Sequence, residues 1–527
     1  VRIRYGKVIP ILVVFLLASL LINTYSNAAS KKWQTLLDPK KPIKLKAAVM
    51  YTSLRPNMDT SDIWKYVKEK TGIEFEITVL KNQDQVNLMF ASRDFPDVAF
   101  NIGAPVNLLI EAAKAGDLVC LDNLLPVYAP TWYNFFRAKE NKLADRVSLI
   151  NGKRYTLPFI DFAPYDRDLR DQWFINNTWI KELGLKIPKT TKEFREVLRA
   201  FKNNAGKGSI PRNVLPFYFV FDNWVGGQFD IYGTFGVVVT TGEYLSVEKG
   251  KVKYQAINPA IKEPLKYLRD LYAEGLIPPE VFTDDFSTYL SKTNAAPPMV
   301  GSYFSYENRN LSAFVAIPPL MSPTGKKPFM RRQTYIPNPS HAFMIFSKNP
   351  YSEATLAFAE WVVSDLENMM TVSRGIKGIV WDFTKDGKVI DIFWEESPDK
   401  MAKYSKQLGL WNSFIALRDR RFHSKLYYNK FKEIEGARAW NFEHVYKNHL
   451  APREFSYVGG TLSKEETELM NQIGTDLTNL RKITFAKWIS GKGDIDKEWD
   501  EFVASNKKLG LDKWLELKQK AYDLVMK

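Results

Sequence analysis

Residues 43–80 read IKLKAAVMYTSLRPNMDTSDIWKYVKEKTGIEFEITVL, and this stretch decides the fold class. Residues 43–49 set Ile and Leu alternately with Lys, the period-two pattern of a half-buried strand. Residues 59–70 change to helical spacing, with Ile63, Trp64 and Val67 on one face, an Asp or Ser cap in front and Gly72 as the stop. Alternation returns at 73–80. Working outward, a short helix is expected at 86–91 and an apolar strand at 97–100, broken by Asn101-Ile102-Gly103. A further helix spans 106–115 and ends at Gly116. Strand, helix, strand, helix in this order predicts an α/β lobe with a largely parallel sheet.

A second region repeats the signals. Residues 176–183 are helical, and Thr190 with Glu193 forms a capping box ahead of Phe194, Val197, Leu198 and Phe201 at i, i+3, i+4 and i+7. Residues 264–274 form another helix, with Pro264 suited to its first turn and Gly275 at its stop. From 351 to 374, and from 474 to the end, the pattern is again helical. Such tails after an α/β body suit a two-lobed protein whose last helices pack on one lobe.

The 527 residues are 45% apolar and 25% charged, which excludes a disordered chain and leaves material for two to four domains or large lobes. Lys and Arg number 74 against 59 Asp and Glu, a net charge of +15. Arg2, Arg4 and Lys7 precede an apolar run from Val8 to Ile22, followed by small residues. This is the form of a secretory signal peptide over residues 1–28, with Ser26 and Ala28 ahead of the cleavage point. An uncleaved membrane anchor is the alternative, since the run nearly reaches spanning length. Loss of the three basic residues leaves 71 against 59, a charge of +12. Nucleic acid is a poor partner for an exported chain whose basic residues are scattered among acidic ones; anionic cell-wall polymer or an acidic glycan fits that charge better. The single cysteine, Cys120, excludes an internal disulfide and reads as a buried small apolar residue. No cysteine stands beside the leader as a lipid acceptor.

Catalytic and metal signatures are missing. The four histidines show no metal-ligand spacing, and no nucleophile elbow, phosphate loop or dinucleotide turn occurs. What stands out is an aromatic content of 14%, often beside polar and turn residues, as in Phe221-Asp222-Asn223-Trp224, Tyr303-Phe304-Ser305-Tyr306 and Trp381-Asp382. Aromatic faces stack on the C–H faces of sugars while neighbouring Asp, Asn and Arg bond the hydroxyls, although most such rings serve a core.

Several segments then carry a family resemblance: residues 145–155 (DRVSLINGKRY) with Leu157-Pro158, 177–185 (NTWIKELGL), 232–236 (YGTFG), 267–277 (YLRDLYAEGLI), 374–378 (RGIKG), and 488–491 (WISG) with Trp499 and 509–512 (LGLD). In order and spacing the chain resembles the large extracellular solute-binding proteins of Gram-positive ABC transporters, solute-binding family 1, in the long form of Paenibacillus-type bacteria. The resemblance covers nearly the whole mature chain. It implies an α/β, two-lobed periplasmic-binding-protein-like fold of type II, maltose-binding-protein-like, with a helical C-terminal extension. It further implies a non-enzymatic, monomeric protein that closes on a carbohydrate by hinge motion. The partners implied are an oligosaccharide, an anionic one included, and ABC permease transmembrane subunits. Contact with the membrane would come only through the permease or an uncleaved N-terminus. The implied location is the Gram-positive cell surface or the medium. A peptide or other solute binder on the same fold, and a secreted glycan-active enzyme, are the alternatives.

By analogy with that topology, lobe 1 comprises 40–164 with 299–363 and lobe 2 comprises 165–298 with 364–527. The chain then crosses near Ala163–Tyr165, Met299–Gly301 and Ser364. Ligand contacts are expected at strand ends and crossings: Tyr51, Asn101, Tyr165, Arg167, Trp224, Tyr303, Arg332 and Trp381. Trp224 and Tyr303 would be stacking platforms; Arg167 and Arg332 would bind hydroxyls or carboxylates. Where long members carry a calcium loop, residues 202–211 (KNNAGKGSIP) contain no carboxylate. No calcium is expected there, and no other metal or cofactor.

Overall fold

A computed structural model describes residues 32–51, 57–161, 168–332, 339–340, 342–392, 398–410, 415, 417–418 and 434–527. The expected leader at 1–28 lies outside them. The chain forms two compact units, Val1–Ile160 with Pro337–Leu417 and Asp161–Ile336 with Arg418–Lys527.

The first unit is built on the stretch that opens the sequence argument. Ile43–Met50 pairs in parallel with Ile73–Leu80 along its whole length, from Ile43 opposite Ile73 to Met50 opposite Leu80. On its other side it pairs in parallel with Val98–Phe100. The sheet order is Ile73–Leu80, Ile43–Met50, Val98–Phe100, Ala342–Ile345, Thr156–Pro158, with Ala342–Ile345 antiparallel to both neighbours. Helix Asp62–Thr71 begins where Ser61 Oγ accepts from the Ile63 N–H, and it buries Ile63, Trp64 and Val67. Trp64 and Phe75 meet edge to face, as do Phe75 and Phe358. Residues 351–374, a single helical pattern in sequence, form two helices, Ser352–Ser364 and Leu366–Arg374. The break falls at Asp365, whose carboxylate caps the second helix by accepting from the Glu367 and Asn368 N–H groups.

Gly72 ends helix Asp62–Thr71 in the left-handed conformation, with φ +77°. A Cβ there would sit 2.2 Å from the Asp38 carbonyl oxygen. Gly72→Ala is therefore expected to cost roughly 2 kcal/mol or more, about half from the left-handed backbone and the rest from the clash. An unchanged denaturation midpoint would contradict this account.

The second unit has a four-stranded sheet in the order Phe314–Ile317, Gln172–Asn176, Val300–Ser305, Leu215–Tyr218. Val300–Ser305 runs parallel to Leu215–Tyr218 and antiparallel to Gln172–Asn176. Helix Thr191–Asn203 has the expected Thr190–Glu193 capping box and buries Phe194, Val197, Leu198 and Phe201. The C-terminal helices are Lys464–Ile489, Ile495–Lys508 and Leu511–Met526. The first of these starts ten residues ahead of the expected position 474, at a second capping box formed by Ser463 and Glu466. Leu477, Phe485, Trp488, Phe502 and Trp514 join the same core as Trp173, Phe217 and Phe304. Among the described residues no helix is long and apolar enough to cross a membrane.

The first passage, after Ile160, falls close to the expected one near Ala163–Tyr165, whereas the second and third differ from the expected division. The chain changes unit after Ile160, Ile336 and Leu417. Ile160–Asp161 and Leu417–Arg418, at the first and third passages, pair as a two-stranded ribbon. Met299–Gly301 is not a passage, because Val300–Ser305 is fully buried and hydrogen-bonded on both edges inside the second sheet. Ser364 is not one either: the helices on both sides of it belong to the first unit.

Candidate functional site

Ligands of open α/β sheets bind outside the carboxyl ends of the strands. In the second unit two parallel strands, Leu215–Tyr218 and Val300–Ser305, deliver their carboxyl ends to one edge, and antiparallel Gln172–Asn176 starts there, with Gln172 opposite Ser305. The loop that follows Leu215–Tyr218 carries Trp224. It is a tightly closed structure. The Val220 N–H donates to the Gly226 carbonyl at 3.0 Å, the Asp222 N–H to Gln228 Oε1 at 2.9 Å, and Asn223 Nδ2 to the Val225 carbonyl at 2.9 Å. Asp222 holds a left-handed φ of +55°, and Gly226 one of +70° against the Tyr289 ring.

Three buried charges anchor this loop from behind. Arg331 Nη2 donates to Asp171 Oδ2 at 2.8 Å and Nε to Asp230 Oδ2 at 3.0 Å, while Nη1 reaches the Trp224 carbonyl at 2.9 Å. Asp171 Oδ2 also accepts the Gly226 N–H at 2.8 Å. The Arg331 guanidinium lies 4.4 Å from the Trp224 ring and 4.9 Å from the Phe229 ring. Burial alone would weaken its charge, but the Asp230 and Asp171 carboxylates outweigh burial and hold its pKa above the ordinary arginine value. Trp224 itself stays half-buried, edge to face with Phe229.

The same edge presents two aromatic residues outside the expected contacts, Tyr306 from the Tyr303-Phe304-Ser305-Tyr306 cluster and Trp440. Tyr306 follows Val300–Ser305 directly, with the Arg170 and Arg438 guanidinium groups 5.6 and 5.2 Å from its ring. Trp440 is 38% exposed and stacks on His444 at 4.4 Å and 13°. Its helix, Ile434–Asn441, runs into a single π-helical turn, Phe442–Tyr446, a feature frequent at functional sites. Asn441 Nδ2 donates to Gln172 Oε1 at 2.7 Å, and Gln172 Nε2 to the Arg438 carbonyl at 3.2 Å, which ties this helix to the sheet edge.

In the first unit Tyr51 and Asn101 occupy the equivalent edge. Val49 pairs with Phe100, so both residues lie just past the ends of neighbouring parallel strands. The Tyr51 N–H donates to the Leu80 carbonyl at 2.8 Å and the Asn101 N–H to the Ala342 carbonyl at 3.0 Å. Tyr51 is 43% exposed, and Asn101 is half-buried with φ +46°, a conformation asparagine tolerates.

The other expected contacts lie elsewhere. Tyr303 is 1% exposed, its hydroxyl 3.1 Å from Asn308 Oδ1 and its ring against Phe174 and Phe314, so it offers no open face for stacking. Trp381 is fully buried in the first unit, with Nε1 donating to the Gly375 carbonyl at 2.8 Å. Arg332 is half-buried and engaged: Nε donates to the Ala451 carbonyl at 2.7 Å and Nη1 pairs with Asp168 at 3.0 Å. Burial holds its pKa below the usual arginine value. Tyr165 and Arg167 lie outside the described residues. Cys120 is half-buried rather than buried, and burial pushes its thiol pKa up. Within the segment 202–211, Ser209 donates its N–H at 3.0 Å and its hydroxyl at 2.5 Å to the Glu182 carboxylate. Among the described residues no three acidic, His or Cys side chains are grouped to hold a metal.

Comparison with known proteins matches this architecture. Residues 51–368 match the model of a family described as bacterial extracellular solute-binding protein. Over 483 residues the chain is 26% identical to the fructooligosaccharide ABC transporter substrate-binding protein FusA of Streptococcus pneumoniae, covering 88% of this chain and 86% of that protein. The structure of S. pneumoniae FusA in complex with kestose aligns with a TM-score of 0.76 at 24% identity, over 91% of this chain and 99% of that one. An ABC-transporter-associated solute-binding protein of Bifidobacterium longum infantis, described as HMO-binding, aligns with a TM-score of 0.73 at 20% identity, over 92% of this chain and 99% of that one. These structural likenesses show the α/β fold of two-lobed periplasmic binding proteins.

Proposed function

The chain belongs to the bacterial extracellular solute-binding protein family, and on that premise we propose that it captures an oligosaccharide outside the cell by hinge closure and hands it to the permease subunits of an ABC importer. The observation that carries the sugar is Trp224: a half-buried ring at the carboxyl edge of a sheet, braced from behind by a guanidinium. Such a ring can stack on a pyranose or furanose face, and Tyr306 and Trp440 extend the aromatic edge. Tyr51 and Asn101 supply a hydroxyl and an amide at the edge of the first unit's sheet. FusA, by its name and its complex with kestose, handles fructooligosaccharides, which supports a sugar over a peptide. The net positive charge of the mature chain favours including acidic glycans among the candidates.

A thermal-shift screen of the mature chain against kestose, other neutral oligosaccharides, uronic-acid oligosaccharides and peptides tests this. One carbohydrate class is expected to bind saturably and to raise the melting temperature, by about 2.7 kcal/mol of added stability at a hundredfold excess over Kd. The sugar should be recovered unchanged, since the family is a transporter component and not an enzyme. Stabilisation by peptides and by no sugar would overturn the reading.

A further inference from the structure

The loop that carries Trp224 is held at two points by residues remote in sequence, and the second comes from the C-terminal extension. Arg481 lies on helix Lys464–Ile489 and is 1% exposed. Its Nη2 donates to Asp222 Oδ2 at 2.7 Å, and its guanidinium sits 4.1 Å from the Tyr244 ring. Asp222 is two residues before Trp224, in the left-handed conformation that turns the chain into the loop. Its side chain is buried, and Arg481 is the buried cation hydrogen-bonded to it, while the half-exposed Lys482 Nζ stands 3.9 Å from the same oxygen. Burial weakens the Arg481 charge, and its surroundings, Asp222 foremost with Tyr244 and Tyr254, more than restore it. Tyr244 in turn belongs to a closed set in which Gln228 Nε2 donates to the Tyr232 hydroxyl at 2.9 Å and the Tyr244 hydroxyl at 3.2 Å. Gln228 is also the residue whose Oε1 receives the Asp222 N–H.

The geometry assigns Arg481 as a positioning residue: through Asp222 it sets the conformation of the loop and so the orientation of the Trp224 ring, without touching ligand. The C-terminal helix thereby acts on the ligand surface and does more than stabilise the unit. An aspartate at φ +55° pays for its conformation only while its carboxylate is fixed; once it is released, the loop relaxes toward ordinary backbone angles and the ring moves with it. This inference rests on the reading of Trp224 as a ligand contact for its functional meaning, but the coupling itself can be measured without any ligand.

The test uses the full mature chain labelled with 5-fluorotryptophan, with the Trp224 fluorine resonance assigned by its loss in Trp224→Phe. Because Arg481→Met alone would leave a buried carboxylate with only the more distant, half-exposed Lys482 as a cation and could unfold the protein, the decisive variant is Arg481→Met with Asp222→Asn, which removes both charges of the buried pair. Far-ultraviolet circular dichroism checks that it is folded. The Trp224 resonance is expected to shift or broaden while those of Trp132 and Trp381, in the other unit, stay in place. Arg481→Lys, which keeps the charge, should leave the Trp224 resonance closer to its original position than the double variant does. An unmoved Trp224 signal in the double variant, or movement of all tryptophan signals alike, would overturn the inference. A Trp224→Ala protein that keeps full affinity for the sugar found in the screen would instead overturn the ligand-contact reading and leave the measured coupling intact.

Discussion

Arg331→Met is expected to destabilise the second unit by about 3–5 kcal/mol, the cost of removing one partner from a buried ion group. The reason is in the residue count of the site. Asp171 and Asp230 are both 0% exposed, and Arg331 is their shared cation. Its loss leaves two carboxylates in a medium that cannot solvate them, and the Trp224 carbonyl loses its donor as well. Burial already raises the pKa of the Asp230 carboxyl, even with Arg331 opposing it. Without that opposition the folded-state pKa rises further above the unfolded value. A carboxyl raised in this way keeps its contribution below the unfolded pKa and loses it as pH climbs through the folded one. The variant should therefore recover part of its deficit in acid and be weakest at neutral and alkaline pH. Denaturant unfolding of wild type and variant across pH 4 to 8 measures this; a deficit independent of pH would contradict it. Arg331→Lys should be only a partial repair, since an ammonium cannot span two carboxylates and a carbonyl in one plane.

Trp224→Ala is the prediction with the largest expected effect on binding, a loss of roughly tenfold to a hundredfold in affinity, or about 1.4–2.8 kcal/mol. Aromatic residues anchored in place carry a disproportionate share of binding energy, because little entropy is lost when the ligand arrives. Trp224 is anchored by its carbonyl, by Phe229 and by the Arg331 face. Isothermal titration with the sugar found in the screen checks it. The loss should appear with little change in melting temperature of the free protein, since the ring is half-exposed and leaves no sealed cavity. Full affinity in the variant would remove Trp224 from the site, and Tyr306 and Trp440 would then be the rings to test.

Much of the fold is legible because it is written in local patterns. The alternation at 43–49 and 73–80, the capping box at Thr190–Glu193 and the glycine stop at Gly72 each depend on a few neighbouring residues, and each holds in three dimensions. Segments buried on all sides were harder. Residues 300–305 are buried without exception, so no alternation marks them as a central strand, and Met299–Gly301 reads in sequence as a passage between lobes. The site shows the same limit at finer scale. Arg332 is the expected ligand contact, yet its neighbour Arg331 is the arginine beside Trp224. Successive side chains in extended backbone point to opposite sides, so one arginine braces Trp224 while the next pairs with Asp168. Tyr303 and Tyr306 differ in the same way: the first lies within the strand and turns into the core, the second lies just past its end.

Legible in the sequence are the α/β class, helices such as those at 62–71, 106–114 and 191–203, the family, the absence of any catalytic signature and Trp224 as a residue beside a turn. Those properties follow from composition, period and short motifs, all of which act over a few residues. Tertiary contacts alone set which strands share a sheet, where the chain changes unit, and which of two adjacent arginines packs against Trp224. It also brought Asp171, Asp230, Arg331 and Arg481 together around one loop across more than three hundred positions of chain. Register and burial depend on partners distant in sequence, and no local pattern records which partner a buried charge will find.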